Sequence, residues 1–182
     1  MGNHIYIPKA STPIEIPDLC SYFQGGIVVY NNGNGGGLIA APSIITAGLS
    51  IKTTISDDNP FPYTGIYGDY GRGMQNTLDM VSRWGAQAQV ANYCLNYTND
   101  GYSDWFLPSF DEAWLLSNAN NNMWNCLKTN WYGGIDPTNN ELLTSSTTTN
   151  FRDATNNVYT GGYNARAYNR SDMDWIPCRY IT

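Results

Sequence analysis

Apolar positions in the middle of the chain recur at spacings of three and four. Leu78, Val81, Trp84, Ala88, Ala91 and Leu95 fall on one face of a predicted helix, and Cys94, three residues after Ala91, joins that inward face. Asn76 or Thr77 is suited to cap its start. Asn99-Asp100-Gly101 ends the segment in a turn, since Gly101 permits a positive φ. Trp105-Phe106-Leu107 then reads as a short buried strand, which Pro108 stops because it has no N–H for the ladder. Ser109 and Glu112 form an S-x-x-E capping box that opens a second helix, Phe110 to about Asn118, with Phe110, Ala113, Trp114 and Ser117 on one face.

Elsewhere the period shortens to that of strands. Gly25-Gly26-Ile27-Val28-Val29-Tyr30 and Leu38-Ile39-Ala40-Ala41-Pro42 flank Asn31-Asn32-Gly33-Asn34-Gly35-Gly36-Gly37, which predicts a hairpin around residues tolerant of positive φ. That glycine run is no phosphate loop, because no Lys-Ser/Thr and no helix follow it. Leu142 to Thr147 is a candidate strand, and Phe151 to Arg170 predicts strand–turn–strand through Thr160-Gly161-Gly162. Trp175 to Ile181 is the terminal strand, with Pro177 marking a bulge or an edge. Residues 118–140 and 150–173 read as long loops. Residues 3–22 read as an extended arm, because Pro8, Pro13 and Pro17 oppose helix. Ile5, Ile7, Ile14 and Ile16 give that arm an apolar side suited to docking on its own domain or a neighbour. Strands segregated from helices make the layout α+β.

Composition then narrows the function. Only 13% of the 182 residues are charged, while 14 Tyr and 6 Trp sit among many Asn, Thr, Ser and Gly. Such a surface binds through rigid aromatic area and hydrogen bonds. A net charge of −6 and scattered cations, with Arg166, Arg170 and Arg179 the nearest to a group, disfavour nucleic acid as partner. No apolar run reaches membrane-spanning length, so no membrane insertion is expected. The first eight residues lack the charged and apolar regions of a signal peptide, which predicts a chain not exported by a recognisable signal. The four cysteines, Cys20, Cys94, Cys126 and Cys178, form no C-x-x-C pair, and the single histidine is His4, so no structural zinc site and no cofactor are expected. Asp57-Asp58-Asn59 lacks the ligand spacing of an EF-hand. Four cysteines allow three pairings, among which spacing does not choose.

Five blocks in order carry a resemblance: Gly25 to Tyr30, Gly37 to Pro42, Asn76-Thr77, Gly101-Tyr102-Ser103-Asp104-Trp105-Phe106-Leu107-Pro108-Ser109 with Glu112, and Thr144-Ser145-Ser146. Over roughly residues 25–182 the chain resembles the C-terminal domains of bacterial collagen-like adhesins and the related FISUMP-type surface domains. The resemblance implies a C-type-lectin-like fold with two helices, a central antiparallel sheet and long loops. Residues 1–22 then form an extended N-terminal arm, for anchoring or oligomerisation, and residues 23–182 a C-type-lectin-like binding domain. The first helix and last strand of such folds are often tied together. That implies Cys94 and Cys178 as neighbours, bonded if the protein matures in oxidising surroundings.

An enzyme is disfavoured. His4 lies in the arm, away from any candidate nucleophile. Asp104, Asp111 and Glu112 cluster like a glycosidase's carboxylates, but Asp104 belongs to the turn and Glu112 to the cap. An activity of the formylglycine-generating type, known on a related fold, would need a reactive cysteine pair. The expected function is non-enzymatic binding. The candidate ligand-binding residues are Trp124, Trp131, Tyr132, Tyr159, Tyr163, Asn164, Arg166, Tyr168, Asn169 and Asp172 in the long loops, with aromatic faces and amide or carboxylate hydrogen bonds for a surface glycan or protein. The missing export signal and the apolar arm point to a phage virion component. It would be a decoration, head-fibre or tail-fibre protein on the virion surface, a homo-oligomer such as a trimer, anchored to other virion proteins by its arm. The alternative is a bacterial cell-surface or secreted adhesin.

Overall fold

A computed structural model describes residues 14–43, 45, 69–117, 123–132, 145, 151–152, 158–159 and 175–181. Its described part is mixed α and β. Strands β1 (Tyr22–Phe23), β2 (Gly26–Asn31) and β3 (Gly37–Ala40) precede helices α1 (Gly73–Trp84), α2 (Gln89–Asn96), α3 (Phe110–Ser117) and α4 (Met123–Cys126); β4 (Phe151–Arg152), β5 (Val158–Tyr159) and β6 (Cys178–Ile181) follow. Among the described residues, no helix is long and apolar enough to cross a membrane.

The sheet order is β1-β2-β3-β6, antiparallel throughout. β2 and β3 form the predicted hairpin. In its turn, Asn31 Oδ1 accepts the Gly33 N–H (2.8 Å), and Asn32 Oδ1 accepts those of Asn34 (2.8 Å) and Gly36 (3.0 Å). These Asx turns are why asparagine accompanies glycine here. Ile27 to Val29 and Gly37 to Ala41 are fully buried, as expected of central strands covered on both faces. The terminal strand adds to β3, pairing Gly37 with Ile181 and Ala40 with Cys178. On its other side, Phe106 exchanges both backbone hydrogen bonds with Cys178 (2.8 and 2.9 Å). The predicted strand at residues 105–107 is thus a single bridge at the sheet edge, fully buried. Pro177 stands just before β6, where its carbonyl accepts the Ala41 N–H (2.8 Å).

The helices depart from the sequence pattern in three ways. The predicted first helix is broken: α1 ends at Gly85 (φ 55°), a 3₁₀ turn covers Gly85–Gln87, and α2 restarts the chain. A glycine in a left-handed conformation cannot continue a helix. Leu78, expected inside, is 45% exposed, whereas Gly73, Asn76, Thr77 and Met80 are the buried face of α1. Polar residues are inside because Thr77 Oγ1 accepts the Leu107 N–H (3.0 Å) while donating to the Gly73 carbonyl (2.7 Å). Neither Asn76 nor Thr77 caps α1, which starts earlier, after Arg72. Finally, the expected loop at 118–140 contains α4 and a π-helical turn, Leu127–Trp131, both seated on the core through Met123 and Leu127. Among the described residues, four α-helices therefore stand where two were expected.

β4 pairs antiparallel with β5, Phe151 opposite Tyr159 and Arg152 opposite Val158; the turn predicted at Thr160-Gly161-Gly162 lies outside the described residues. Of the candidate strand at 142–147, Ser145 alone lies among the described residues. Its N–H donates to the Pro108 carbonyl (2.7 Å).

The cysteines pair otherwise than the resemblance implied. Cys20 and Cys126 form the disulfide, with Cα atoms 6.3 Å apart across a sequence separation of 106. Cys94 and Cys178 are free and buried. Cys94 lies in the apolar cluster of α1, α2, Leu107 and Trp175, and Cys178 in that of the sheet. They are near enough for Cys94 to contribute to raising the Cys178 thiol. The bond goes instead to the arm, tying its end to α4. A bridge over so long a loop stabilises by about 4–5 kcal/mol in the chain-entropy model.

Candidate functional site

Ser109 and Glu112 form the centre from which the surface is positioned. The capping box is present: the Ser109 N–H donates to Glu112 Oε2 (2.7 Å), and the Glu112 N–H to Ser109 Oγ (3.4 Å). The same carboxylate reaches further. Glu112 Oε1 accepts the N–H groups of Gly71 (2.8 Å) and Gly73 (3.4 Å) at the start of α1, and the hydroxyl of Tyr180 on β6. One buried carboxylate therefore serves two helix N-termini and the last strand, where orphan N–H groups and the helix dipoles favour negative charge. Gly73 is required by this approach. A Cβ there would collide with Glu112 Oε2 and lie 2.6 Å from Phe106 Cδ2. Burial, then Glu112, pushes the Tyr180 phenol far above its ordinary range, and burial foremost brings Tyr70 up to about 12. Both phenols stay protonated at neutral pH. Among the described residues, Glu112 Oε1 accepts three of these hydrogen bonds and Oε2 one.

From this centre the chain runs back through Leu107, Phe106 and Trp105 to the turn at 99–102. Asn99 and Tyr102 exchange backbone hydrogen bonds (3.1 and 2.9 Å), with Asp100 (φ 48°) and Gly101 (φ 82°) between them. Two positive φ values in succession are the signature of a tight hairpin turn, as Asn-Asp-Gly predicts. Arg179 clamps this turn to the sheet. Its Nε and Nη2 bind Asp104 Oδ1 (2.6 Å) and Oδ2 (3.0 Å), and its Nη1 reaches Gln24 Oε1 (3.1 Å). The guanidinium lies 4.1 Å from the Tyr102 ring centroid. Arg179 is 1% exposed, and such a bidentate, stacked pair fixes orientation as well as charge.

The clamped turn presents a polar and aromatic surface. Tyr22 on β1 donates from its hydroxyl to Asp100 Oδ2 (2.7 Å) and accepts from Asn99 Nδ2 (3.1 Å), which also binds the Gly25 carbonyl (2.7 Å). The bond to Asp100 is the main reason the Tyr22 phenol is raised. Tyr22 is 42% exposed, and its ring stacks on Trp131 of the π turn, with centroids 5.8 Å apart and planes 28° apart. Trp131 is half-buried, and its indole N–H has no acceptor among the described residues. The Cys20–Cys126 bridge joins the same two stretches of chain, with Asn130 Nδ2 at 3.8 Å from each sulfur. The result is a stacked ring pair whose Tyr22 hydroxyl is held by an amide and a carboxylate. It has the means to stack an apolar sugar face or an aromatic side chain and to hydrogen-bond hydroxyls.

The predicted site residues divide. Trp131 belongs to this surface. Tyr132, next to it, is 3% exposed and donates to the Ala41 carbonyl (3.1 Å), which makes it a core residue. Trp124 lies on α4 and Tyr159 on β5. Tyr163, Asn164, Arg166, Tyr168, Asn169 and Asp172 lie outside the described residues, as do Ile5 and Ile7. Ile16 packs on the core, whereas Ile14 is 42% exposed. Sequence reasoning passed over Tyr22, Asn99 and Asp100. The signal for them was the Asn-Asp-Gly turn itself, read as a helix terminus and not as a surface. Among the described residues no group of three or more His, Cys, Asp or Glu is placed to hold a metal ion. No family model matches the chain, and no curated protein and no solved structure matches it.

Proposed function

We propose that this chain is a non-enzymatic, C-type-lectin-like binding module that engages a surface glycan or protein through the Tyr22–Trp131 stack and its Asn99 and Asp100 border. The observation that carries this reading is the stacked, partly exposed ring pair held over a turn clamped by Arg179. A rigid aromatic platform beside fixed hydrogen-bonding groups loses little entropy on binding. Support also comes from the partners of two described carboxylates and the burial of two thiols. Glu112 is filled by backbone donors and Tyr180, Asp104 by Arg179, and the two free thiols are raised by burial away from the reactive thiolate form.

The module belongs in this proposal to a phage particle, as a decoration or fibre protein that anchors through residues 1–22. Deleting residues 1–13, which leaves Ile16, Cys20 and Tyr22 in the folded body, is expected to abolish incorporation into particles; unchanged incorporation refutes the anchoring role. A bacterial surface adhesin is the second reading, and the Cys20–Cys126 bridge favours it, because disulfides persist where surroundings are oxidising. Neighbouring capsid or tail genes favour the first reading, and a neighbouring secretion system the second. The binding claim is tested on an array of bacterial and host glycans with wild-type protein and Trp131→Ala. Selective binding that the substitution removes is expected. Equal signals from both proteins would overturn the assignment of the surface.

A further inference from the structure

We propose that the Cys20–Cys126 bridge is a redox lock on the Tyr22–Trp131 surface: closed, it holds β1 against the π turn so that the rings stack, and opened, it releases them while the sheet and the Glu112 centre stay folded. The inference rests on the reading of that surface as the binding surface. Its evidence is separate.

The bridge and the stack join the same two elements. Cys20 is two residues before Tyr22, and Cys126 is five before Trp131. Asn130, on the same π turn, closes over both sulfurs. Cys20 holds a φ of 72° as the third residue of a turn in which the Ser21 N–H donates to the Asp18 carbonyl (3.2 Å). β1 has its own hold on the sheet: the Cys20 N–H donates to the Val28 carbonyl (2.8 Å) and the Val28 N–H to the Ser21 carbonyl (2.9 Å), beside the β1–β2 ladder, so opening the bridge frees the π turn from Tyr22 and not β1 from β2. Glu112 is held by Gly71, Gly73, Ser109 and Tyr180, and β2, β3 and β6 by their own ladder.

The four cysteines also differ in access. Cys20 and Cys126 are half-buried, whereas Cys94 and Cys178 are fully buried with raised thiols. A small thiol reagent therefore meets the bridge first. Closure is thiol–disulfide exchange: the Cys20 and Cys126 thiols are oxidised to one S–S bond, a carrier disulfide is reduced to two thiols, and the two protons leave with those thiols. Opening by a dithiol runs the same exchange in reverse, with the dithiol oxidised to its own disulfide.

The test begins with alkylation of the denatured chain and peptide mapping. Without reductant, Cys94 and Cys178 are expected to be labelled; after reduction, all four cysteines. Four labelled cysteines without reductant, or a linked Cys94–Cys178 peptide, overturns the proposal. The native protein is then treated with dithiothreitol, and Cys20→Ser/Cys126→Ser is compared in parallel. Near-ultraviolet circular dichroism, taken as the difference from Trp131→Phe, is expected to lose the Trp131 contribution, and acrylamide quenching of Trp131 to increase, with far-ultraviolet signal retained. An unchanged Trp131 signal overturns the lock. Loss of the far-ultraviolet signal on mild reduction of the wild type also overturns it, since the bridge would then hold the whole fold. None of these measurements uses a ligand, so failure of glycan binding and failure of the lock are told apart.

Discussion

At the scale of the residue, Glu112 carries more of the structure than any spacing suggests. Its replacement by Gln keeps the shape but turns an amide NH₂ toward donors that need an acceptor. Glu112→Gln is expected to cost about 2–4 kcal/mol, because buried N–H groups lose a charged partner. In a chain of this size that lowers the thermal midpoint by about 5–15 °C. Thermal unfolding followed by circular dichroism checks it, and an unchanged midpoint would refute the role. The phenols around this carboxylate add a pH dependence. Tyr70 is raised from 10.0 to about 12, chiefly by burial and then by Glu112. A phenol whose folded value is raised favours the folded state fully below the unfolded value and loses that favour as pH rises through the folded one. Stability linked to Tyr70 is therefore complete below about pH 10 and lost through about pH 12. A titration of phenolate absorbance is expected to show a late-ionising class that Tyr70→Phe reduces. A single class near the ordinary value would contradict this.

At the scale of the element, α1 shows where local preference yields to packing. Alanine normally favours a helix over glycine by about 1 kcal/mol. At Gly73 the sign reverses, because a Cβ meets Glu112 and Phe106. Gly73→Ala is expected to destabilise by about 1–3 kcal/mol through overpacking, read as a lower urea midpoint. A higher midpoint would show that the N-terminus of α1 is free to shift. The same element explains what the sequence could and could not reveal. The hairpin and the Ser109–Glu112 box were legible, since their determinants lie within a few residues. The reach of Glu112 to Gly71, 41 residues away, was not. Nor was the buried polar face of α1, because Thr77 is inside for its bond to Leu107 and not for its apolarity. Gly85 did announce the break between α1 and α2, but the apolar period running across it was the stronger pattern. The π turn arose in an Asn-rich stretch with no period to betray it.

At the scale of the whole molecule, the described fold is a four-stranded antiparallel sheet with helices placed around one internal carboxylate. Its long-range ties are Arg179 to Asp104 and Cys20 to Cys126, separated by 75 and 106 residues. Both converge on the surface of Tyr22, Asn99, Asp100 and Trp131. Of its four residues Trp131 was legible; Tyr22, Asn99 and Asp100 were not, because they meet through hydrogen bonds that span 77 and 78 positions. The nine-residue block from Gly101 to Ser109 thus has one end in the core and the other in the proposed binding surface, with Asp104 between them as the clamp point. The account is tested most directly by titrating the strongest array ligand into wild type, Tyr22→Ala and a Tyr70→Ala control. Tyr70 is a partly exposed ring outside the proposed surface, packed edge-on against Tyr30 and Tyr180. Loss of a stacking ring is expected to weaken binding by about tenfold or more, since such contacts contribute about 1–1.5 kcal/mol or more. Tyr70→Ala should bind as wild type does. Equal affinity for wild type and Tyr22→Ala, with both folded by circular dichroism, would contradict the account.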